Sequence, residues 1–265
     1  MSTGPERSEW HAAVARLIAS ADRATTADAL ADAIGAAVTH EGTCLLAFHD
    51  TAPPDVLHHT LEPAGVEHYV DRYLAGPYLL DPLYRLALQA DAPSVRRFRD
   101  EAPDRFRASE YYRQYCERTH LKDEVDFLNR VEPATTVALV VGRRQRRFGK
   151  TDVRRLESIA PIVHAAIEKI WQQSAAASPP VRRDRSLHRR LTECFDNFGD
   201  GLLTQREREI TQLLLRGYST KAIARELAIA PGTVMVHKRN LFAKLGITSQ
   251  MQLFSRFIEA LSARG

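Results

Sequence analysis

STKAIARELAIAPGTVMVHKRNLFAKLG, residues 219–246, predicts two short helices separated by a sharp corner. Ser219 can cap the first helix, and the small side chain of Ala224 lets the next helix cross closely. The corner at 228–230 leads to Pro231, a residue suited to the first turn of a new helix. Because the second helix is also rich in basic residues, the stretch predicts a helix-turn-helix.

One further helix is predicted on each side of this motif. Thr204 and Glu207 have the spacing of a capping box and begin a helix before the motif. Gly217 suits the left-handed position that ends that helix, and Gly246 ends the basic helix. Ser249-Gln-Met-Gln252 offers a second capping box for a terminal helix. The C-terminal part of the chain is therefore expected to be an all-α domain of four helices.

The basic helix divides into inward and outward residues. Val234 and Leu241 fall on its apolar face, so Met235, Val236, Lys238 and Arg239 project elsewhere. An outward arginine such as Arg239 can make a bidentate contact to guanine. Residues suited to phosphate contacts, which set the register without reading sequence, are Lys221, Lys238, Lys244 and the hydroxyl of Thr233. The alternative interpretation is a helical bundle with a solvated basic face.

The segment from Leu203 to Ile247 resembles the four-helix DNA-binding domain of the LuxR/FixJ family of transcription regulators. The resemblance covers the whole module, including Leu203-Thr204, Arg206-Glu207, Ile223-Ala224, Thr233-Val234 and Lys244-Leu245-Gly246. It implies that Met235, Val236 and Arg239 face the bases of double-stranded DNA. It also implies that Lys221, Thr233 and Lys238 face the backbone.

The terminal helix is expected to join two copies of the chain. Its apolar stripe consists of Met251, Phe254, Ile258 and Leu261. That much apolar surface on a short helix must be covered by its own bundle or by a partner. Since the fourth helix commonly pairs subunits in the resembling family, we expect a homodimer on a two-fold-related DNA site.

The charge distribution indicates a polyanion as the partner of the C-terminal domain, and the family resemblance implies a regulator that acts on DNA and the transcription machinery. The 265 residues suffice for two modest domains, and residues 201–265 carry ten Lys and Arg against four Glu, whereas residues 1–200 carry 27 against 29 acidic residues. No apolar run reaches membrane-spanning length, and the N-terminus lacks a secretory pattern. Three widely spaced cysteines predict reduced thiols and no zinc site. We therefore expect a cytoplasmic protein without a membrane partner.

The N-terminal part predicts an α+β sandwich with an antiparallel sheet. Helical spacing covers residues 8–40, and strands are predicted at 43–49 and 56–61, with a hairpin of 123–131 and 135–143. Two or three helices are expected through 66–120, and a long helix capped by Thr151-Asp152 runs to about Trp171. The domains are predicted to be a GAF/PAS-like ligand-sensing domain at 1–173, a linker and joining helix at 174–198, and the helix-turn-helix domain at 199–265.

A tyrosine-rich segment, VEHYVDRYLAGPYLLDPLYRLAL at 66–88, is the candidate ligand site. It resembles the pocket segment of quorum-sensing LuxR receptors, which implies that Tyr69, Tyr73, Tyr78 and Asp81 contact a small-molecule effector such as an acyl-homoserine lactone or another metabolite. Two later stretches look closer to LuxR-type regulators with a GAF-like sensor. Alternatively, Asp81-Pro82 is simply a helix cap, and the tyrosines are core or rim aromatics.

Catalysis finds no support in the sequence. There is no Gly-rich phosphate loop, metalloprotease helix, nucleophile elbow or paired-cysteine pattern, so no enzyme activity, metal or cofactor is expected. The predicted function is sequence-specific DNA binding controlled by a small molecule through dimer geometry. The alternative keeps the DNA binding but makes the N-terminal domain a ligand-free dimerisation or protein-interaction module.

Overall fold

A five-stranded antiparallel sheet forms the centre of the N-terminal domain in the computed structural model, which describes residues 7–109, 111–177 and 185–263. In chain order the strands are β1 (Gly42–His49), β2 (Asp55–His59), β3 (Ser94–Arg97), β4 (Asp123–Glu132) and β5 (Thr135–Arg143). They lie side by side as β2-β1-β5-β4-β3, and each neighbouring pair is antiparallel. The short strands β2 and β3 form the edges.

Helices of very different lengths surround the sheet. The N-terminal domain holds α1 (Arg7–Ala19), α2 (Arg23–Ala37), α3 (Pro63–Val66), α4 (Arg72–Leu74), α5 (Pro82–Gln89), α6 (Phe98–Glu101), α7 (Glu117–Thr119) and α8 (Lys150–Ala177). Single turns of π- or 3₁₀-helix lie at Glu67–Asp71, Pro77–Leu80, Phe106–Ala108 and Tyr112–Cys116. The remaining helices are α9 (Arg185–Asp196), α10 (Gln205–Leu215), α11 (Thr220–Glu226), α12 (Pro231–Leu245) and α13 (Gln250–Ala263). No helix in these described ranges is long and apolar enough to cross a bilayer.

The two faces of the sheet pack against different layers, as expected for an α+β sandwich. Helices α1, α2 and α8 cover one face, where Val125 and Phe127 of β4 are buried. The opposite face receives Leu128 of the same strand and packs against α5 and its neighbours. Side chains alternate between faces along a strand, so Glu124 and Asp126 share the second face with Leu128. Two acidic residues therefore point towards the irregular side of the domain.

Local signals in the C-terminal domain appear in the structure as predicted. Thr204 N donates to Glu207 Oε2 at 2.8 Å and Glu207 N donates to Thr204 Oγ1 at 3.3 Å, which is the complete capping box. Ser219 caps α11 by accepting from Ala222 N at 3.2 Å. Gly217 and Gly246 have φ of +90° and +65°, values that favour glycine.

The two domains share an apolar core. Leu80, Phe106 and Tyr111 of the N-terminal domain are buried with residues of α10, α11 and α12. Phe195 of α9 joins the same cluster. The joining helix is thus packed between the domains, and the boundary is an interface rather than an open tether.

The structure differs from the sequence predictions for the N-terminal domain in three respects. Strand β3 was not predicted, because its four residues, three half-buried and one exposed, carry no alternating pattern. The helices predicted through 66–120 are present at 63–74, 82–89 and 112–119, but the first and the last each include a π-helical turn. Helix α8 begins at Lys150 and continues to Ala177, past the predicted linker start, and residues 178–184 of that linker lie outside the described ranges.

Candidate nucleic-acid interface and sensor cavity

The exposed face of α12 carries the residues predicted to meet DNA bases. Val234 and Leu241 are completely buried, whereas Met235 is 59% exposed and Val236 46% exposed. Arg239 is also exposed. Contiguous exposed apolar side chains with polar residues around them are typical of an interaction surface. The burial pattern therefore leaves one face of α12 available to a groove of DNA.

The residues predicted to contact phosphates fall into two groups. Lys221 and Thr233 are exposed, and Lys238 is half-buried with its ammonium 5.3 Å from the ring centre of Phe242. Burial and the nearby charge of Arg105 lower the pKa of Lys238. Lys244 is different, because its ammonium lies 2.6 Å from the buried carboxylate of Glu207. This ion pair supports the capping box, a structural role that the sequence prediction did not include.

The apolar stripe of α13 is split between its own domain and solvent. Phe254 is only 7% exposed and belongs to the domain core, whereas Met251 is 58% and Ile258 40% exposed. The side chain of Leu261 lies outside the described residues. The sequence prediction treated these positions as one dimerisation surface, but Phe254 is turned inward because it packs beside Leu253 and Phe257.

A cavity of about 800 Å³ lies between the sheet and the irregular segments of the N-terminal domain. Its floor includes Cys44, Leu46 and Val140 from the sheet. Its walls are Tyr73, Asp81, Leu83, Phe98, Phe106, Tyr111 and Tyr112. An apolar cavity of this size with a few polar groups has the dimensions of a small-molecule site.

Asp81 is both a helix cap and a cavity residue. Its carboxylate accepts a hydrogen bond from Leu83 N at 2.9 Å, which caps α5, and another from the Tyr73 hydroxyl at 2.7 Å. Burial raises the pKa of Asp81 to about 6, against the lowering effect of these two hydrogen bonds. The helix-cap interpretation is thus confirmed, and Tyr73 and Asp81 also face the predicted ligand volume.

Of the other two predicted ligand residues, Tyr78 lies away from this cavity, and the side chain of Tyr69 falls outside the described residues. Tyr78 is absent from the lining, and its hydroxyl hydrogen bonds Nδ1 of His188 on α9 at 2.7 Å. The two rings stack at 5.9 Å, so Tyr78 connects the N-terminal domain to the joining helix. The backbone of Tyr69 lies in a π-helical turn, but its side chain is outside the described residues.

Two acidic residues of β4 were missed by sequence reasoning. Glu124 lines the cavity and is 9% exposed, and Asp126 is 1% exposed. Among the described residues, no hydrogen-bond donor reaches either oxygen of Asp126. Burial and the charges of neighbouring acids raise the pKa of both carboxyls well above the ordinary value. The alternation of acidic and apolar residues in DEVDFL was the available signal, but it indicates a solvated strand face equally well.

One segment of the N-terminal domain contacts both the cavity and the helix-turn-helix. Phe106 lines the cavity, while the adjacent Arg105 N donates to the Gly217 carbonyl at 3.2 Å. Asp104 accepts a hydrogen bond from Ser219 N at 2.9 Å. Burial acts to raise the pKa of Asp104, but the hydrogen bonds from Ser219 outweigh this effect, and the pKa is lowered. Arg85 pairs with Glu226 of α11 at 3.6 Å.

This combination defines a two-domain regulator with a helix-turn-helix output and an α+β domain that contains a cavity open to solvent. The pattern of the family described as bacterial regulatory proteins, luxR family, matches residues 201–257. The chain is 34% identical over 157 residues to a protein of Aeromonas salmonicida described as an HTH-type transcriptional regulator in the exeN 3′ region, covering 57% of this chain and 80% of that protein. The chain belongs to the LuxR family and is a DNA-binding transcriptional regulator.

Two more distant relatives extend the similarity to the N-terminal domain. The monoamine regulon transcriptional regulator of Klebsiella aerogenes is 25% identical over 206 residues, which cover 77% of each chain. The VqsR LBD domain of Pseudomonas aeruginosa superposes with a TM-score of 0.56 at 25% identity, covering 63% of this chain and 98% of that one. The N-terminal domain therefore has the fold of LuxR-type ligand-binding domains.

Proposed function

We propose that this protein is a cytoplasmic, homodimeric transcription factor whose DNA binding responds to a small molecule held in the N-terminal cavity. The ligand favours one arrangement of the N-terminal domain, which changes how the two α12 helices of a dimer meet their half-sites. Bound to its operator, the dimer then acts on the transcription machinery.

The observation that carries this proposal is the double contact of residues 104–106. The same short segment lines the cavity through Phe106 and hydrogen bonds to Gly217 and Ser219 beside the helix-turn-helix. A ligand that moves Phe106 must therefore shift or strain contacts to α10 and α11. Tyr78 and His188 provide a second connection, through α9.

The DNA contacts we propose follow from exposure and charge. Met235, Val236 and Arg239 would approach the base edges, and Lys221, Thr233 and Lys238 the phosphates. Arg239→Ala should relax base preference at one operator position by roughly 1–3 kcal/mol, while Lys238→Ala should weaken all sequences alike. The measurement is fluorescence anisotropy on duplexes selected from a random pool by the purified protein. Equal losses on selected and random DNA for Arg239→Ala would refute the base-reading role.

Ligand dependence is tested with a metabolite library in a thermal-shift assay, followed by anisotropy with each compound that stabilises the full chain. We expect at least one compound to raise the melting temperature and to change the affinity for selected DNA. Stabilisation without any change in DNA affinity would contradict the coupling through residues 104–106. A complete lack of stabilisation would favour the alternative of a ligand-free dimerisation or protein-interaction domain.

A further inference from the structure

Three carboxyl groups are buried on the cavity side of the sheet without a cationic partner in the described ranges. These are Asp81, Glu124 and Asp126, each at least nine-tenths buried. Glu124 lies on the cavity wall, and no side chain in the described ranges donates a hydrogen bond to its carboxylate or to that of Asp126. An unpaired buried carboxylate is costly, and such groups in folded proteins are normally paired or bound to a cation.

The nearby arginines do not supply the missing charge. Arg96 stands opposite Asp126 in the β3–β4 pairing, but its guanidinium pairs with Glu101 at 3.2 Å. Arg97 pairs with Asp123 at 2.6 Å. The other basic residues on the cavity lining are exposed to solvent: Arg99, Arg105, Arg107, Lys122, Arg144 and Arg147. The positive charge near the cavity is thus paired or solvated.

We propose that the cavity binds a small organic cation, an amine with a compact apolar body, whose ammonium group is held by Glu124 with Asp81 and Asp126 close by. This inference rests on the proposed function, since it assigns the chemical class of the ligand in the same cavity. A protonated amine has three donors and no acceptor, which matches oxygens that only accept. The apolar body would lie against Phe98, Phe106 and Tyr111.

The surroundings favour an organic cation over a metal ion or a neutral ligand. In the described part of the chain, no group of three His, Cys, Asp or Glu side chains is arranged to hold a metal ion. The volume of about 800 Å³ far exceeds one ion, and aromatic faces on its walls attract cations. A neutral acyl amide can satisfy Asp81 with one N–H, but it would leave the Glu124 and Asp126 carboxylates without a counter-charge.

Cation binding should release protons. The acidic and thiol or phenol groups that line the cavity are Asp81, Glu124, Asp123 with its partner Arg97, Glu41, Asp104, Tyr73, Tyr111, Tyr112, Cys44 and Cys116. The basic residues on the lining are Arg99, Arg105, Arg107, Lys122, Arg144 and Arg147, all exposed, and Asp126 and the Arg96–Glu101 pair lie beside the cavity. The carboxyls have raised pKa values when no cation is present, and a bound ammonium favours their ionised forms. Amine affinity should therefore increase as the pH rises from about 6 to about 8, because the amine itself stays protonated there.

The experiment is isothermal titration calorimetry and thermal shift on the full chain with hexylamine and benzylamine. Hexanol, benzyl alcohol and hexanoyl-homoserine lactone serve as neutral comparators. We expect the amines to bind with proton release and their alcohols to bind at least roughly tenfold more weakly. Glu124→Gln should reduce amine affinity by roughly 10- to 100-fold. Glu157→Gln, an exposed position on α8, is the matched control and should leave the affinity unchanged.

Each outcome decides between the two proposals. Binding of the lactone or the alcohols in preference to the amines would overturn the cation assignment while leaving a ligand-responsive regulator intact. Equal amine affinity in Glu124→Gln and the parent protein would also overturn it. If no member of the panel binds, the cation assignment is overturned. If, in addition, no compound of the metabolite library stabilises the protein, the proposal of ligand sensing is overturned too. Anisotropy on selected DNA checks that Glu124→Gln remains folded and active.

Discussion

The DNA-binding domain and the N-terminal cavity both bury carboxylates, but they treat them in opposite ways. Glu207 is 3% exposed and receives donors from Thr204 N at 2.8 Å and from Lys244 at 2.6 Å. Asp126 is 1% exposed and receives none from the described residues. In the first region the chain supplies the counter-charge itself. In the second region the described residues supply no counter-charge, and burial raises the pKa of Asp126 well above its ordinary value.

The contrast is confined to Glu124 and Asp126 and does not run through the whole N-terminal domain. Asp123, which also lines the cavity, is paired with Arg97, and away from the cavity the buried Arg143 lies 2.6 Å from Asp152. Burial acts to raise the pKa of Asp152, but the hydrogen bonds from Arg143 and Gly149 N outweigh this effect, and the pKa is lowered. The fold is thus able to neutralise buried charge a few residues away from Glu124 and Asp126.

The largest effect is expected where a structural pair is broken. Arg97→Ala leaves Asp123, which is almost fully buried, without its guanidinium, and should lower the free energy of unfolding by about 3–5 kcal/mol. Urea denaturation of the full chain measures this loss. Arg96→Ala is the adjacent control, and its exposed pair with Glu101 should be worth less than about 1 kcal/mol. Similar small losses for both variants would show that the pair of Arg97 with Asp123 contributes no more to stability than the pair of Arg96 with Glu101.

A smaller loss is expected for the structural acid of the DNA-binding domain. Glu207→Gln keeps the shape but removes the charge opposite Lys244, and should cost about 1–2 kcal/mol. Burial acts to raise the pKa of Glu207, but the hydrogen bonds from Lys244 and Thr204 outweigh this effect, and the pKa is lowered. Its contribution is therefore complete above the ordinary pKa and is lost as the pH falls through the lowered one.

The control for Glu207 is Glu209→Gln on the same helix, where a half-exposed pair with Arg206 should contribute under about 1 kcal/mol. Stability of the three proteins is compared by urea denaturation at neutral and acidic pH. If the free energy of unfolding depends on pH in the same way in Glu207→Gln and in the parent protein, the structural role of Glu207 is contradicted.

The smallest effect, of opposite sign, is expected for Asp126, which is buried on the same face of β4 as Glu124. Burial and the charges of Glu124 and Asp81 raise the pKa of Asp126, so its folded state holds a proton that the unfolded chain releases. Stability is then lost as the pH rises from the ordinary pKa towards the raised one. Asp126→Asn should remove part of that loss and be more stable than the parent at pH 8, by on the order of 1 kcal/mol. Urea midpoints at pH 6 and pH 8 measure the slope, and unchanged slopes would contradict the assignment.

The same contrast explains what could be predicted from the sequence. In the C-terminal domain the decisive signals are local, since Thr204 and Glu207, or Ser219 and Ala222, interact within one helical turn. The inward positions of α12 follow from helical periodicity alone. The partner of Glu207 was missed because Lys244 lies 37 residues away along the chain.

The cavity could be predicted only in part, because its walls come from distant segments without regular periodicity. Tyr73 and Asp81 were assigned to the site because the segment 66–88 resembles the pocket segment of quorum-sensing LuxR receptors, and the structure shows that the two side chains interact directly. Tyr78 was assigned to the same site because the sequence cannot indicate that its hydroxyl forms a hydrogen bond with His188, which lies 110 residues away. Glu124 and Asp126 resembled a solvated strand face, since nothing in their own strand indicates that irregular segments cover it.

The shared core of Leu80, Phe106 and Tyr111 with the helix-turn-helix has a consequence for how the chain melts. Domains that bury apolar surface against each other lose that surface together, so their unfolding transitions merge into one. A differential scanning trace of the full chain should show a single heat-absorption peak instead of one peak for each domain. The compound that fills the cavity would then protect α12 from thermal unfolding, although it touches no residue of that helix.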